Sequence, residues 1–125
     1  MRGLLITATL LLFPTCLPAM DRPCSAHPMI DGKPFTVHGR LSIYNGNPSV
    51  RIWAIGTQRM LGVSDGRFYR KGYTNLPESI KERLDFETDL YGDFKVYPFT
   101  RSKPGVMQLV CIQSVKHLVA RKAGT

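Results

Sequence analysis

The chain is predicted to fold as a small, mainly β domain with one short helix. Several short segments alternate between apolar and polar residues, which is the pattern of strands with one buried face. Turn-forming sequences rich in Gly, Pro and Asn separate these segments. Only one stretch has the apolar spacing of a helix, and it lies between the third and fourth predicted strands.

The first part of the chain, residues 1–19, has the features of an export signal. Arg2 precedes an apolar run over residues 4–13, and residues 17–19 end in alanine before a polar segment. The run is shorter than the roughly 20 apolar residues of a membrane span, and no later segment is apolar enough to be one. The residues before Cys16 do not fit a lipoprotein signal, so lipid anchoring is not expected. We therefore expect an exported protein, periplasmic or extracellular.

Residues 20–34 are predicted to be an extended N-terminal arm, because prolines and a glycine interrupt any periodicity. A single β-rich domain over residues 35–125 follows and opens with a strand over 35–44. Val37 and Leu41 lie on the apolar side of that strand. Gly39 between them indicates a bulge, or a bend at a barrel corner.

Two more strands follow after close turns. The turn at residues 45–48 contains Asn-Gly, whose preference for positive φ angles predicts a tight hairpin. Residues 49–55 form the second strand, and residues 59–63 form a shorter third strand. If Val50 and Ile52 of the second strand point inward, the residues between and after them point outward.

The helix is predicted over residues 77–84, after an exposed Gly-rich loop. Pro77 suits the first helical position, and the acidic residue after it suits the positive end of the helix dipole. Ile80 and Leu84 give the apolar stripe that would pack against the sheet.

Two strands complete the predicted domain. Residues 91–93, Tyr-Gly-Asp, are interpreted as a turn that leads into a strand over 94–98. A final strand over 106–115, which residues 118–120 could extend before a basic tail, is apolar on both faces and should be covered on both. The order of elements matches a five-stranded barrel of the OB type. An open antiparallel sheet with the helix packed on it is the alternative.

Two cysteines remain once Cys16 leaves with the signal. In an oxidising compartment an even pair indicates a disulfide, here between Cys24 and Cys111. The alternative is that Cys111, which has apolar neighbours, is a small buried hydrophobe. The cysteines and the three histidines lack paired ligand spacing, so neither a metal nor another cofactor is expected.

The net charge of +8 is spread unevenly. Basic residues dominate residues 33–77, acidic residues cluster in 78–93, and every charge from residue 94 onward is positive. This distribution suggests an anionic partner, whether an acidic glycan, a lipid headgroup or a nucleic acid. The alternative is that the charge serves solubility alone. The acidic cluster lacks the twelve-residue calcium-loop pattern and is interpreted as surface.

Strand alternation defines a first candidate site, which we call the basic–aromatic face. Its members are the outward residues of the first two strands: His38, Arg40, Tyr44, Arg51 and Trp53. OB-type barrels hold oligonucleotides or oligosaccharides on such surfaces, where basic groups surround aromatic rings. The alternative is that Trp53 packs beneath the arm or the helix as a structural residue.

A second candidate site is the basic–aromatic loop, which comprises Arg67, Tyr69, Arg70 and Lys71, with Tyr73 close by in sequence. The alternative is a solvated loop without a ligand.

Enzyme interpretations find little support. Serine-hydrolase, zinc-protease, phosphate-loop and dinucleotide motifs are all missing from the sequence. A nucleophile could pair Cys111 with His38 or His117, but Cys111 lies in the most apolar strand, where a thiol is inert. We therefore predict a binding protein for an anionic polymer or envelope surface. An accessory subunit that docks on another envelope protein is the alternative.

Two segments of the chain resemble small exported bacterial proteins of unknown function. The first is GRLSIYNGNPSVRIW, residues 39–53, closed by Gly56 and Thr57. The second comprises residues 98–100, 104–105 and 110–112, and is similar to the C-terminal half of those proteins. The resemblance covers most of the mature chain. It implies an exported bacterial protein and carries no known active site.

Overall fold

The computed structural model describes residues 3–13, 22–63 and 66–124. Residues 3–13 have no regular secondary structure, and their apolar side chains are exposed. Cys16 and the predicted cleavage region lie outside the described residues. Within the three ranges, no helix has the length and hydrophobicity that a membrane crossing would need.

Five strands and one short helix form the domain, after a 3₁₀ turn at Cys24–Ala26. In chain order they are β1 (Phe35–Ile43), β2 (Val50–Ala54), β3 (Met60–Val63), α1 (Glu78–Lys81), β4 (Thr88–Pro98) and β5 (Gln108–Lys122). The predicted order of three strands, a helix and two strands is confirmed.

The strands are hydrogen-bonded in a closed ring in the order β1, β2, β3, β5, β4, with β4 pairing back to β1. Neighbours are antiparallel except β3 and β5, which run parallel over only three residue pairs. The predicted fold class, mainly β with one short helix and an OB-like order, is confirmed. The parallel pairing of β3 with β5 is short. The other four pairings are antiparallel, so the ring also fits the alternative prediction of an antiparallel sheet.

Branched aliphatic side chains and one phenylalanine fill the interior of the ring. The buried members are Val37, Leu41, Ile52, Leu61, Val63, Ile80, Leu90, Phe94, Val96, Val110 and Ile112. Burying each of these side chains contributes about 1.5–3 kcal/mol. Since strand residues alternate between two faces, this interior also determines which side chains reach the outer surface.

A second, smaller cluster surrounds the disulfide between Cys24 and Cys111, whose Cα atoms are 5.8 Å apart. The rings of Phe68 and Phe99 stack there with centroids 4.6 Å apart. His27 is buried beside them, and its Nε2 lies 3.0 Å from the carbonyl oxygen of Phe68. The predicted disulfide is confirmed. The segment before β1 is therefore packed on the domain and not simply extended.

The two clusters cover β5 from both sides at its start, as its apolar sequence predicts. Val110 and Ile112 belong to the interior of the ring. Cys111 and Leu109 belong to the cluster around the disulfide. Since Cys111 is bonded to Cys24, it has no free thiol and is not a nucleophile.

The predicted turn at residues 91–93 is wrong, because β4 begins at Thr88 and continues through it. Gly92 lies inside this strand, where it permits close packing. A Cβ on Gly92 would lie 2.7 Å from Val115 Cγ2 and 3.1 Å from the carbonyl oxygen of Lys116. The register between β4 and β5 also shifts at this point. β5 continues to Lys122, so the basic tail is part of the strand.

Gly39 is likewise a point of close packing. The register of β1 with β4 continues through it, and the regular pairing of β1 with β2 begins at it, so no bulge occurs there. A Cβ on Gly39 would collide with Ile52 Cγ2, which occupies that space.

Two other local predictions need adjustment. The β1–β2 turn is wider than a two-residue hairpin, since the Tyr44 N–H donates to the carbonyl oxygen of Ser49 at 2.7 Å. α1 is shorter than predicted, and Pro77 is its N-cap and not its first residue. Hydrogen bonding continues past the helix as far as the Leu84 N–H, which donates to Ile80 at 3.0 Å.

Candidate functional site

The pairing of β1 with β2 brings residues of the predicted basic–aromatic face together. Arg40 lies opposite Trp53, and Ser42 lies opposite Arg51. Ile52, between the two β2 residues, is fully buried. Arg51 and Trp53 are half-buried and lie on the outer side of the sheet, because neighbouring strand residues point to opposite faces.

Four of the five predicted residues form a connected set of ring and cation contacts. The Arg40 Cζ lies 4.9 Å from the centroid of the Trp53 ring. An Arg40 Nη2 donates to the Tyr44 hydroxyl at 3.4 Å. The Arg51 Cζ lies 5.1 Å from the centroid of the Tyr44 ring. Each cation–π contact is worth about 0.5–1 kcal/mol at an exposed site, so these side chains hold one another in place.

Trp53 is positioned by the strand and by the turn that follows it. Its Nε1 donates to the carbonyl oxygen of Thr57 at 2.7 Å. The Thr57 hydroxyl in turn donates to the carbonyl oxygen of Ala54 at 2.7 Å, which braces the turn. Trp53 belongs to neither buried cluster of the described residues. The indole is therefore anchored at its edge while part of its surface stays exposed.

The face continues onto β4 and β5, which sequence reasoning missed. Tyr91 lies opposite Arg40 across the β1–β4 pairing. The Arg121 Cζ lies 5.2 Å from the centroid of the Tyr91 ring. Trp53, Arg40, Tyr91 and Arg121 thus form a row of alternating rings and guanidinium groups on four strands. We call this set the arginine–aromatic row.

Arg40 is the central cation of this row. Its hydrogen bond to Tyr44, with smaller contributions from Tyr91 and Asp89, raises the pKa of its guanidinium. The Nε of Arg40 is buried and has no hydrogen-bond partner among the described residues. Arg40 is therefore charged at any physiological pH, and its guanidinium lies over the Trp53 ring.

Two carboxylates on outward positions of β4 are engaged by neighbours. The Ser42 hydroxyl donates to Asp89 Oδ1 at 2.7 Å. The two oxygens of Asp93 each lie 2.8 Å from a histidine Nδ1, one from His38 and one from His117. The contacts with His117 and then His38 hold the pKa of the Asp93 carboxyl below its ordinary value. His38 thus contacts Asp93, at the edge of the basic–aromatic face.

The predicted basic–aromatic loop does not form one site. Arg67 lies over the ring of Phe68, with its Cζ 5.1 Å from the centroid, and borders the cavity beside the disulfide cluster. Tyr69 and Arg70 border a different cavity, next to α1. Lys71 is exposed. The loop divides because Phe68 turns inward to stack on Phe99.

In the part of the chain that the structure describes, no three His, Cys, Asp or Glu side chains are grouped so that they could hold a metal ion. We find no significant match to this chain among protein-family models, curated proteins or solved structures. The class of protein that fold and site define is a small OB-like domain with a preformed arginine–aromatic outer surface.

Proposed function

We propose that this protein is an exported binding domain that holds an anionic polymer on its basic–aromatic face. The observation that carries the proposal is the arginine–aromatic row. Guanidinium groups recognise phosphate, sulfate or carboxylate groups in a planar, bidentate manner. Aromatic rings stack on bases or sugars with little dependence on sequence. A polymer with ring units and regular negative charge offers both features.

The dimensions of the row favour a polymer over a single small ion. Neighbouring strands lie about 4.8 Å apart, so a row across four strands extends about 14 Å. The cations Arg40 and Arg121 alternate with rings along it, and Arg51 lies beside it on Tyr44. An extended chain lying across the strands would meet a charge and a ring in turn.

The order already present in the side chains also supports binding. Immobilising a flexible side chain at an interface costs about 0.5–1.5 kcal/mol. Arg40 and Arg51 are already held on aromatic rings, and Trp53 is held by its hydrogen bond to Thr57. The Cys24–Cys111 disulfide supports placement outside the cytoplasm, because disulfides persist in oxidising compartments.

A second candidate function is an accessory subunit that docks on an envelope protein through the same face. Its support is the mixed character of the outer surface. Asp89 and Asp93 lie among the cations there, and Val119, opposite Tyr91, has 47% of its surface exposed. A protein partner could match both charges and cover the valine.

Titration with two labelled probes, a heparin-derived oligosaccharide and an oligothymidylate, tests the proposal by fluorescence anisotropy. Trp53→Ala should weaken binding by about 1–3 kcal/mol, the contribution of one stacked ring. Arg51→Gln should also weaken it, while Arg83→Gln removes the same charge from an exposed position outside the face and should have little effect. Equal losses in the two arginine variants would mean that only net charge attracts the probe and would contradict the proposal.

A further inference from the structure

A pocket of about 390 Å³ lies beside α1, apart from the basic–aromatic face. Its apolar lining comprises Val50, Val63, Leu76 and Leu84. Val63 belongs to the core inside the ring of strands, and the other three pack against that core while remaining half-buried. The pocket therefore exposes an apolar surface that is continuous with the interior of the ring. Its volume falls within the range of small-molecule sites, about 300–1,000 Å³.

Two cations border this apolar surface. Arg70 comes from the loop before α1, and Lys81 is the last residue of α1. Both are exposed, and neither side chain has a salt bridge or hydrogen bond to another residue of the described ranges. Their charges are thus available to a ligand, and an apolar lining next to two such cations selects an anion with an apolar body.

The wall of the pocket that carries polar groups is fixed by the rest of the domain. The Ile112 N–H donates to the carbonyl oxygen of Asn75 at 2.9 Å, which ties the loop to β5. The Thr74 hydroxyl donates to the carbonyl oxygen of Leu76 at 2.7 Å. Arg22 donates to the Tyr73 hydroxyl at 3.0 Å. The pocket is therefore formed before any ligand enters, as in most small-molecule sites.

From this geometry we infer that the pocket binds a small amphiphilic anion. The negatively charged headgroup would lie between Arg70 and Lys81, and a single hydrocarbon chain would cover the half-buried Val50, Leu76 and Leu84. Binding would transfer apolar surface of both partners out of water, which stabilises the complex. The two cations would set the sign of the charge that is accepted.

Methyl NMR tests this inference, with sodium decanoate as the probe. The sample is the protein purified after expression of the full chain. Decanoate should shift the methyl signals of Val50, Leu76 and Leu84 and saturate at one equivalent. Decanol, which has the same hydrocarbon chain without the charge, should bind at least about fivefold more weakly than decanoate. Acetate, which has the charge without the chain, should leave these methyl signals in place. Equal affinity for decanoate and decanol, or shifts confined to other regions, would overturn the inference.

Variants with matched charge locate the headgroup. Lys81→Gln should weaken decanoate binding about two- to fivefold, and adding Arg70→Gln should bring it to the level of decanol. Arg83→Gln, two residues along the chain and outside the pocket lining, should leave it unchanged. An equal effect of Lys81→Gln and Arg83→Gln would contradict the proposed headgroup site. Trp53→Ala should retain decanoate binding, so failure of this inference and failure of the proposed function can be distinguished.

Discussion

Replacing Trp53 by alanine is expected to destabilise the fold only modestly. The structure gives the indole two specific polar interactions in addition to its partial burial. The cation–π contact with Arg40 is worth about 0.5–1 kcal/mol. The hydrogen bond to Thr57 contributes about 0.5–1.5 kcal/mol net. Together these two interactions contribute about 1–2.5 kcal/mol. The partial burial of the indole adds to this, but the fall in the free energy of unfolding should stay below the roughly 3–5 kcal/mol of a tryptophan removed from a core.

Ile52 provides the matched comparison, because it precedes Trp53 in β2 and is fully buried. Its side chain is smaller than the indole, yet Ile52→Ala leaves a cavity inside the ring and should cost about 2–5 kcal/mol. The two residues are neighbours in the same strand, so the difference between the variants reports which face of the sheet each side chain occupies.

Urea unfolding followed by far-UV circular dichroism measures both changes. Tryptophan fluorescence is unsuitable, since Trp53 is the single tryptophan of the chain. The smaller residue should give the larger loss. If Trp53→Ala lowers the free energy of unfolding as much as Ile52→Ala or more, the indole is a core residue, and the assignment of the outer face to binding is refuted.

Three further predictions concern the fold. Replacing Cys24 and Cys111 by serine opens a loop that spans 87 residues and should lower stability by about 4–5 kcal/mol in urea unfolding; unchanged stability would mean that the bridge adds nothing. The pKa of Asp93 is lowered in the folded state, so its carboxylate stabilises the fold at pH values above the ordinary carboxyl pKa. This stabilisation is lost as the pH falls through the pKa that Asp93 has in the folded state. Asp93→Asn should thus be less stable than wild type near neutral pH and approach it well below pH ~4, whereas a pH-independent gap would argue against the carboxylate's role. Gly39→Ala should cost about 1–3 kcal/mol by forcing Ile52 from its place, and a thermal melt that matches wild type would show that the site can relax.

The sequence was informative where apolar and polar residues alternate along a strand. In β1 and β2 the buried Leu41 and Ile52 mark the inner face, and the outward positions of Arg40 and Trp53 follow from the period of a strand. The disulfide followed from a different argument, the even number of cysteines expected after export.

Gly92 makes the first half of β4 hard to predict from the sequence. Leu90, Gly92 and Phe94 occupy alternate inner positions, so the strand pattern extends upstream of residue 94. A glycine between Tyr91 and an aspartate also has the composition of a turn, and local sequence does not report that Val115 occupies the space a Cβ would need. For this reason local sequence does not place Tyr91 on the outer face. The alternation of Leu90 and Phe94 is the signal that could have recovered it.

Long-range contacts account for what else the sequence did not predict. The loop after β3 divides between two cavities because Phe68 stacks on Phe99, which is far away in the chain. The end of β5 looks like a basic tail, but pairing with β4 brings Arg121 onto Tyr91. Neither contact has a local sequence pattern.

The most direct test of the central claim is the salt dependence of binding to the oligothymidylate probe. If Arg40, Arg51 and Arg121 each neutralise one phosphate, the logarithm of the association constant should fall with a slope of about −2 against the logarithm of the salt concentration. Affinity should then drop roughly ten- to twentyfold between about 50 and 200 mM salt. Binding that is absent at low salt, or that changes less than about twofold over this range, would contradict an arginine–phosphate contact on the basic–aromatic face.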